Sequence, residues 1–244
     1  MSSRYLSEMD NVVHKFGSAT LTAAGGDEIL WSGLGLGGTE TPHPAAAVAT
    51  EIVSTDDNDG KTGAPSASGA RTVFIDGIDG SGARVTETVT LDGTTAVTSL
   101  ANDYLRINRA SVASAGTGLT NAGAISIRHT TGPVVIGYIA AGVGQTETCA
   151  FTVPVGKQLQ FTYLSVSSTV STTVKAKLWH KDLNGVTRIS ATLSNAGSGM
   201  PLVMPESMPL VYAATEDVWI TVDVGNNGSG SGFWVGKLEY ANEV

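Results

Sequence analysis

The stretch from Ala70 to Val97, ARTVFIDGIDGSGARVTETVTLDGTTAV, leaves little choice of fold. Three β-type runs (Arg71 to Asp76, Ala83 to Leu91, Thr94 to Val97) are separated by Gly-bearing turns at Gly77-Ile78-Asp79-Gly80 and Asp92-Gly93. Short runs broken by residues that tolerate tight turns predict a β-meander. In the second run, strict alternation puts Val85, Val89 and Leu91 on one face, with the charged Glu87 among them. Thr86, Thr88 and Thr90 take the other face, which is left wet or self-contacting. No titratable cluster accompanies the element, so it speaks of architecture before chemistry.

The rest of the chain has the same character. Thirty glycines stand beside 15% charged and 6% aromatic residues, with Thr, Ser, Ala and Val filling most of what remains. Such a composition builds strands and turns, not helices. Four tryptophans and the Val/Ile/Leu runs suffice for packed cores. A length of 244 residues accommodates one large β domain or two of ordinary size, and two is the expectation here.

Charge excludes several partners. A net charge of -8 offers no basic stripe to neutralise phosphates, so neither nucleic acid nor an anionic membrane is an expected partner. The single cysteine, Cys149, rules out an internal disulfide and a Cys-based metal cluster, and its apolar run reads as a strand with a buried thiol. The sequence MSSRYLSEMDNVVHKFG has no apolar signal region, and no run of about 18 apolar residues follows, so the expectation is a soluble protein made in a cytoplasm.

Taken in order, the chain divides into an N-terminal arm (1–46), a first β-sandwich (47–132) and a second (133–244), of jelly-roll or immunoglobulin-like type. In the arm, Tyr5, Met9, Val12, Val13 and Phe16 recur at spacings that fit one short amphipathic helix ended by Gly17. The arm either packs on a neighbouring subunit or docks locally. The first domain holds strands at Ala49 to Ser54, in the meander, at Tyr104 to Val112 and at Ala124 to Arg128. Alternation puts Arg106 and Arg109 on opposite faces, a poor start for a convergent anion site. The pattern restarts near Gly132-Pro133. From there strands run at Pro133 to Ala140, Thr146 to Val153, Gln158 to Val166, Thr172 to His180, Val186 to Leu193, Leu210 to Ala213, Val218 to Val224 and Gly232 to Tyr240, with turns at Pro154 to Lys157 and Asn184-Gly185. Strands at intervals of roughly 8 to 12 residues with no helix between them signal a sandwich or jelly roll. The Pro-bounded segment from Met200 to Pro209 is too apolar for an ordinary loop. With the arm, it supplies the interface candidates: Tyr5, Met9, Val12, Val13, Phe16, Met200, Leu202, Met204 and Met208.

Motifs for chemistry fail on inspection. Gly33-Leu34-Gly35-Leu36-Gly37-Gly38 has the dinucleotide spacing, but prolines at 42 and 44 follow where a helix is needed. Asp56-Asp57-Asn58-Asp59-Gly60 starts like a calcium loop, yet the EF-hand register puts Thr55 at the first ligand position and Ser66 at the last. Asp57 and Asp59 remain weak candidates for a different calcium site, against a solvated turn. The four histidines make no metal spacing, no G-x-S-x-G elbow occurs, and Gly228-Ser229-Gly230-Ser231-Gly232 reads as a flexible turn. A glycosidase needs two opposed carboxylates, which sequence cannot place. The expectation is a non-enzyme without cofactors. A receptor- or carbohydrate-binding module is the alternative, with Trp179, Trp219 and Trp234 as the stacking platforms.

The block from Thr50 to Arg128 resembles a virion structural protein of tailed bacteriophages, notably those of marine bacteria and cyanobacteria. His14-Lys15-Phe16-Gly17 and Val153-Pro154-Val155-Gly156-Lys157 are similar to features of the same family, while the Asp56 to Pro65 loop departs from its shorter form. The resemblance covers about half of the chain and brings no catalytic residues. It implies a virion component made in the host cytoplasm and leaves its place open among capsid decoration, head fibre or knob, and neck or tail (fibre or adaptor); of these, capsid decoration or cementing of the outer shell is ranked above a neck or tail position. Its implied partners are the major capsid protein or another virion protein. Subunits on a capsid lattice sit on local symmetry axes, so a closed homo-oligomer is expected, with a trimer as the first choice.

Overall fold

The computed structural model describes residues 11–23, 26–33, 43–60, 68–98, 100–131, 134–170, 172–182, 184–195, 202–204 and 210–241. Among these residues the chain is all β, with sixteen strands and no helix. It starts with β1 (Val12–Leu21) and β2 (Glu28–Ile29). Next come β3 (Thr50–Ser54), β4 (Ala70–Asp79), β5 (Arg84–Thr90), β6 (Tyr104–Ala115), β7 (Ile125–His129) and β8 (Val135–Ile139). The remainder is β9 (Phe151–Thr152), β10 (Lys157–Ser168), β11 (Val174–Lys181), β12 (Thr187–Asn195), β13 (Leu202–Met204), β14 (Leu210–Tyr212), β15 (Asp217–Val224) and β16 (Gly228–Tyr240).

Two compact units result: Met1–Trp31 together with Thr148–Val244, and Ser32–Glu147. This corrects the expected boundaries at both ends. The described stretch 12–21 is not part of an arm, because β1 pairs with β16 without interruption from Val12↔Lys237 to Leu21↔Gly228. Nor is it a helix. Burial alternates with period two, Lys15, Gly17, Ala19 and Leu21 facing inward while His14, Phe16 and Thr20 face out, as a strand rich in β-branched residues requires. Gly17 ends nothing; a Cβ there would lie 2.3 Å from the Leu30 carbonyl oxygen, so glycine permits close packing within the strand. The boundary at 132/133 also moves, since β8 pairs with β7 through Ile125↔Ile139 and Ser126↔Tyr138. A Gly-Pro pair punctuates a hairpin as readily as a linker.

The first unit is a sandwich of two five-stranded sheets. One runs β1-β16-β10-β13, with β14 also on β10; the other runs β12-β11-β15-β2, with β9 also on β15. Their inner faces share one core that includes Leu21, Leu159, Phe161, Leu178, Ile220 and Trp234. Trp234 is its aromatic centre, with Phe161 at 5.0 Å and Phe151 edge-on at 5.8 Å between ring centroids. Its indole N–H donates to the Cys149 carbonyl (3.0 Å), which satisfies the one polar group such a buried ring carries.

Residues 228–232 are part of β16, not a flexible turn. Alternation sends Gly228, Gly230 and Gly232 inward and Ser229 and Ser231 outward. A Cβ on Gly230 would come within 2.6 Å of a Leu21 methyl, and one on Gly232 within 2.7 Å of a Leu30 methyl. The small residues make room for large facing ones, and the outward serines form a polar ladder, Ser231 to Ser167 (2.9 Å) and Ser229 to Thr169 (3.1 Å).

The second unit holds two three-stranded sheets, β3-β7-β8 and β5-β4-β6, around a core that includes Ile52, Ile75, Leu91, Tyr104, Ile125 and Ile139. The expected meander is half right. β4 and β5 form the hairpin, but the other neighbour of β4 is β6, and residues 94–97 make only isolated bridges, Val97 to Ile52 among them. Gly77 to Asp79 lie within β4, so the turn comes later than expected, at 80–82. There the Asp79 carboxylate accepts from the Ser81 N–H (2.8 Å), Ser81 Oγ (2.7 Å) and the Ala83 N–H (3.0 Å), which holds its pKa below the ordinary range.

Candidate functional site

The acidic loop is built for structure. Asp59 is completely buried, and its two oxygens accept from Ser54 Oγ (2.7 Å) and the N–H groups of Ala70 (2.7 Å), Ala122 (2.8 Å) and Gly123 (2.8 Å). One side chain thus ties β3 to the start of β4 and to the loop before β7. The Asp57 carboxylate turns elsewhere, accepting from the Thr94 N–H (3.0 Å) and Thr94 Oγ1 (2.5 Å), which lower its pKa. The two candidate ligands therefore do not converge. No group of three or more His, Cys, Asp or Glu side chains among the described residues could hold a metal ion.

Glu87, the charge on the apolar face of β5, is also satisfied locally. It accepts from Tyr104 Oη (2.7 Å), the Ala101 N–H (2.9 Å) and Asn102 Nδ2 (3.3 Å). Burial, reinforced by the adjacent Glu87, pushes the Tyr104 phenol far above its usual pKa. A charge pointing inward from an edge strand discourages pairing with other chains. Arg106 is buried and Arg109 exposed, but the expected opposite faces are not found: Arg106 pairs with Ile78 and Arg109 with Asp76, two residues apart on β4, because a bulge at Asn108 cancels the alternation. Along β6 and the 141–145 loop a shallow, polar groove of ≈ 560 Å³ includes Arg109, Ser114 and Gln145 in its lining. Nothing in it resembles a nucleophile with its base. Cys149 is buried, and that burial pushes its thiol up to about 12, the inert state expected of it.

The interface candidates fare unequally. Tyr5, Met9, Met200 and Met208 lie outside the described residues, as do the side chains of Leu202 and Met204, whose backbones pair with Val166 and Leu164. Val13 packs against the core of the first unit. Val12 and Phe16 point to solvent, 40% and 37% exposed. The register places Phe233, 45% exposed, beside Phe16, and Val235 beside His14. The Tyr163 ring lies 5.3 Å from that of Phe233. Val12, Phe16, Phe233, Val235 and Tyr163 thus form an apolar cluster around His14, bordered by Lys237, on the solvent face of the β1-β16-β10 sheet. Sequence reasoning placed a strand at Gly232 to Tyr240 but did not assign its faces, because the glycines upstream were read as a turn. Carried through as a strand, the alternation from Ser229 and Ser231 puts Phe233 outward.

The other sheet of this unit exposes tryptophan. Trp234 is buried and cannot stack on a ligand. Trp179 and Trp219, in contrast, are directly paired on β11 and β15, half-buried and outside the core, with indole planes 7° from parallel and centroids 6.3 Å apart. Trp179 Nε1–H donates to Thr221 Oγ1 (2.8 Å).

No family model matches the chain, and no curated protein matches it. Among solved structures it is weakly similar to that of infectious bursal disease virus Gt strain, at 13% identity over 96% of this chain and 73% of that one, with a TM-score of 0.28. The Gx strain structure gives 10% identity over 95% and 73%, with a TM-score of 0.24. The crystal structure of the infectious bursal disease virus VP2 subviral particle gives 11% identity over 93% and 72%, with a TM-score of 0.22.

Proposed function

We propose that the chain is a structural component of a bacteriophage virion, a decoration or cement protein on the outer shell, held there by the solvent face of the β1-β16-β10 sheet. The observation that carries this reading is the apolar patch of Val12, Phe16, Phe233, Val235 and Tyr163 on an acidic chain. Contiguous exposed apolar surface marks a contact with another macromolecule, and extended area, not a pocket, is how a cement protein binds. The sequence resemblance to tailed-phage virion proteins supports the same reading. The proposal assigns the chain no catalytic step and no cofactor. Its partner is the major capsid protein or another virion protein, its location the assembled particle and its oligomer a closed ring, with the trimer preferred.

The test is cosedimentation of purified protein with particles that lack it. Wild type is expected to saturate a fixed number of sites per particle. The double variant Phe16→Ser/Phe233→Ser is expected to lose binding about a thousandfold, each truncated aromatic being worth one hot-spot residue of about 2 kcal/mol, while keeping its far-ultraviolet spectrum. Undiminished binding by the double variant would overturn the assigned face. Binding only to isolated tails would move the chain to the neck or tail.

A further inference from the structure

We infer that the solvent face of the β12-β11-β15 sheet binds a neutral oligosaccharide on Trp179 and Trp219. This proposal is independent of the virion reading and uses the opposite sheet of the first unit.

Three observations converge on it. First, two of the four tryptophans lie outside the hydrophobic core, side by side on one sheet face, in a chain with few aromatics. Their neighbours along the strands, Leu178 and Ile220, are fully buried on the inner face, so the indoles do not serve the fold's interior. Second, the rings are pre-arranged. Their planes are 7° from parallel, and the bond from Trp179 Nε1 to Thr221 fixes one of them in rotation. The C–H face of a pyranose packs on such a surface by apolar burial, and a fixed ring avoids the ordering cost of capture.

Third, the charges around the rings cancel. Lys177 Nζ pairs with Asp27 Oδ2 (2.5 Å) and stands 5.6 Å from the Trp179 ring, while Lys175 lies directly across from Asp223. On a chain of net charge -8, this face offers matched donors and acceptors without an excess of either sign. Hydroxyl groups donate and accept equally and carry no charge, so the rim is complementary to a neutral sugar and to neither an anionic nor a cationic ligand.

The experiment uses maltohexaose, cellohexaose and hexa-N-acetylchitohexaose at millimolar concentration, read by saturation-transfer NMR and by intrinsic tryptophan fluorescence. At least one of the three is expected to bind saturably. Trp219→Ala and Trp179→Ala are each expected to weaken binding about tenfold, and Trp219→Phe, which keeps a ring, to weaken it less. Phe233→Ser on the opposite sheet is expected to leave it unchanged. Unaltered thermal transitions confirm that each variant folds. No binding of any hexasaccharide, or equal binding by both alanine variants, overturns the proposal. So does a protein-concentration-dependent fluorescence shift without sugar that Trp219→Ala abolishes, because a second copy would then cover the face.

Discussion

A methyl of Leu30 lies 2.7 Å from where a Cβ on Gly232 would sit. The glycine is therefore a packing residue, and the prediction is asymmetric along one strand. Gly232→Ala should destabilise by about 1–3 kcal/mol through overpacking, whereas Ser231→Ala, whose side chain faces solvent, should stay within about 0.5 kcal/mol. Urea denaturation of the two variants checks it.

Asp59 and Asp57 should separate as sharply. Asp59→Ala strands the two buried backbone N–H groups of Ala70 and Gly123, together with the part-buried one of Ala122, and is expected to cost at least about 2 kcal/mol. Asp57→Ala, on an exposed side chain bonded to Thr94, should cost far less. If both carboxylates hold only protein donors, calcium and a chelator give the same denaturation midpoint for wild type. A calcium-dependent rise in that midpoint would contradict the structural role.

The second unit should weaken in mild acid. Burial holds His129 below its ordinary pKa of 6.5. Below that value the unfolded chain takes up a proton that the folded chain resists, so stability falls as pH drops through 6.5 and stops falling once the folded-state pKa is passed. Replacing His129 by Gln removes this part of the slope, as denaturation midpoints at pH values on either side of 6.5 would show.

Removing residues 1–17 deletes Val12 to Gly17 from β1, and with them six of its register pairs with β16. The truncated chain should lose the cooperative unfolding of the first unit, followed by tryptophan fluorescence. A binding defect in that deletion would consequently report on folding as well as on contact, which is why point changes at Phe16 and Phe233 are the cleaner probes.

How much of this was legible before the structure depends on how far apart in sequence the causes lie. Strand positions were readable because alternation and turn residues are local; β10, β11 and β15 fall close to where the pattern put them. The units were not, because the partner of β1 lies at the far end of the chain and no local signal announces a pairing of Val12 with Lys237. The glycine run misled for a related reason. Its meaning depends on Leu21 and Val166 on the flanking strands β1 and β10 and on Leu30 beyond β2, and composition alone favours a flexible turn. In the candidate site, exposure of Val12 and Phe16 followed from alternation once β1 was a strand. The role of Asp59 could not, since its donors come from three separate segments.

The most direct test of the central claim is cryo-electron microscopy of virions with and without this chain. The account predicts additional β-sandwich density on the outer shell at capsomer axes, its contact made by the face carrying Phe16 and Phe233. Absence of that density from the particle would contradict it.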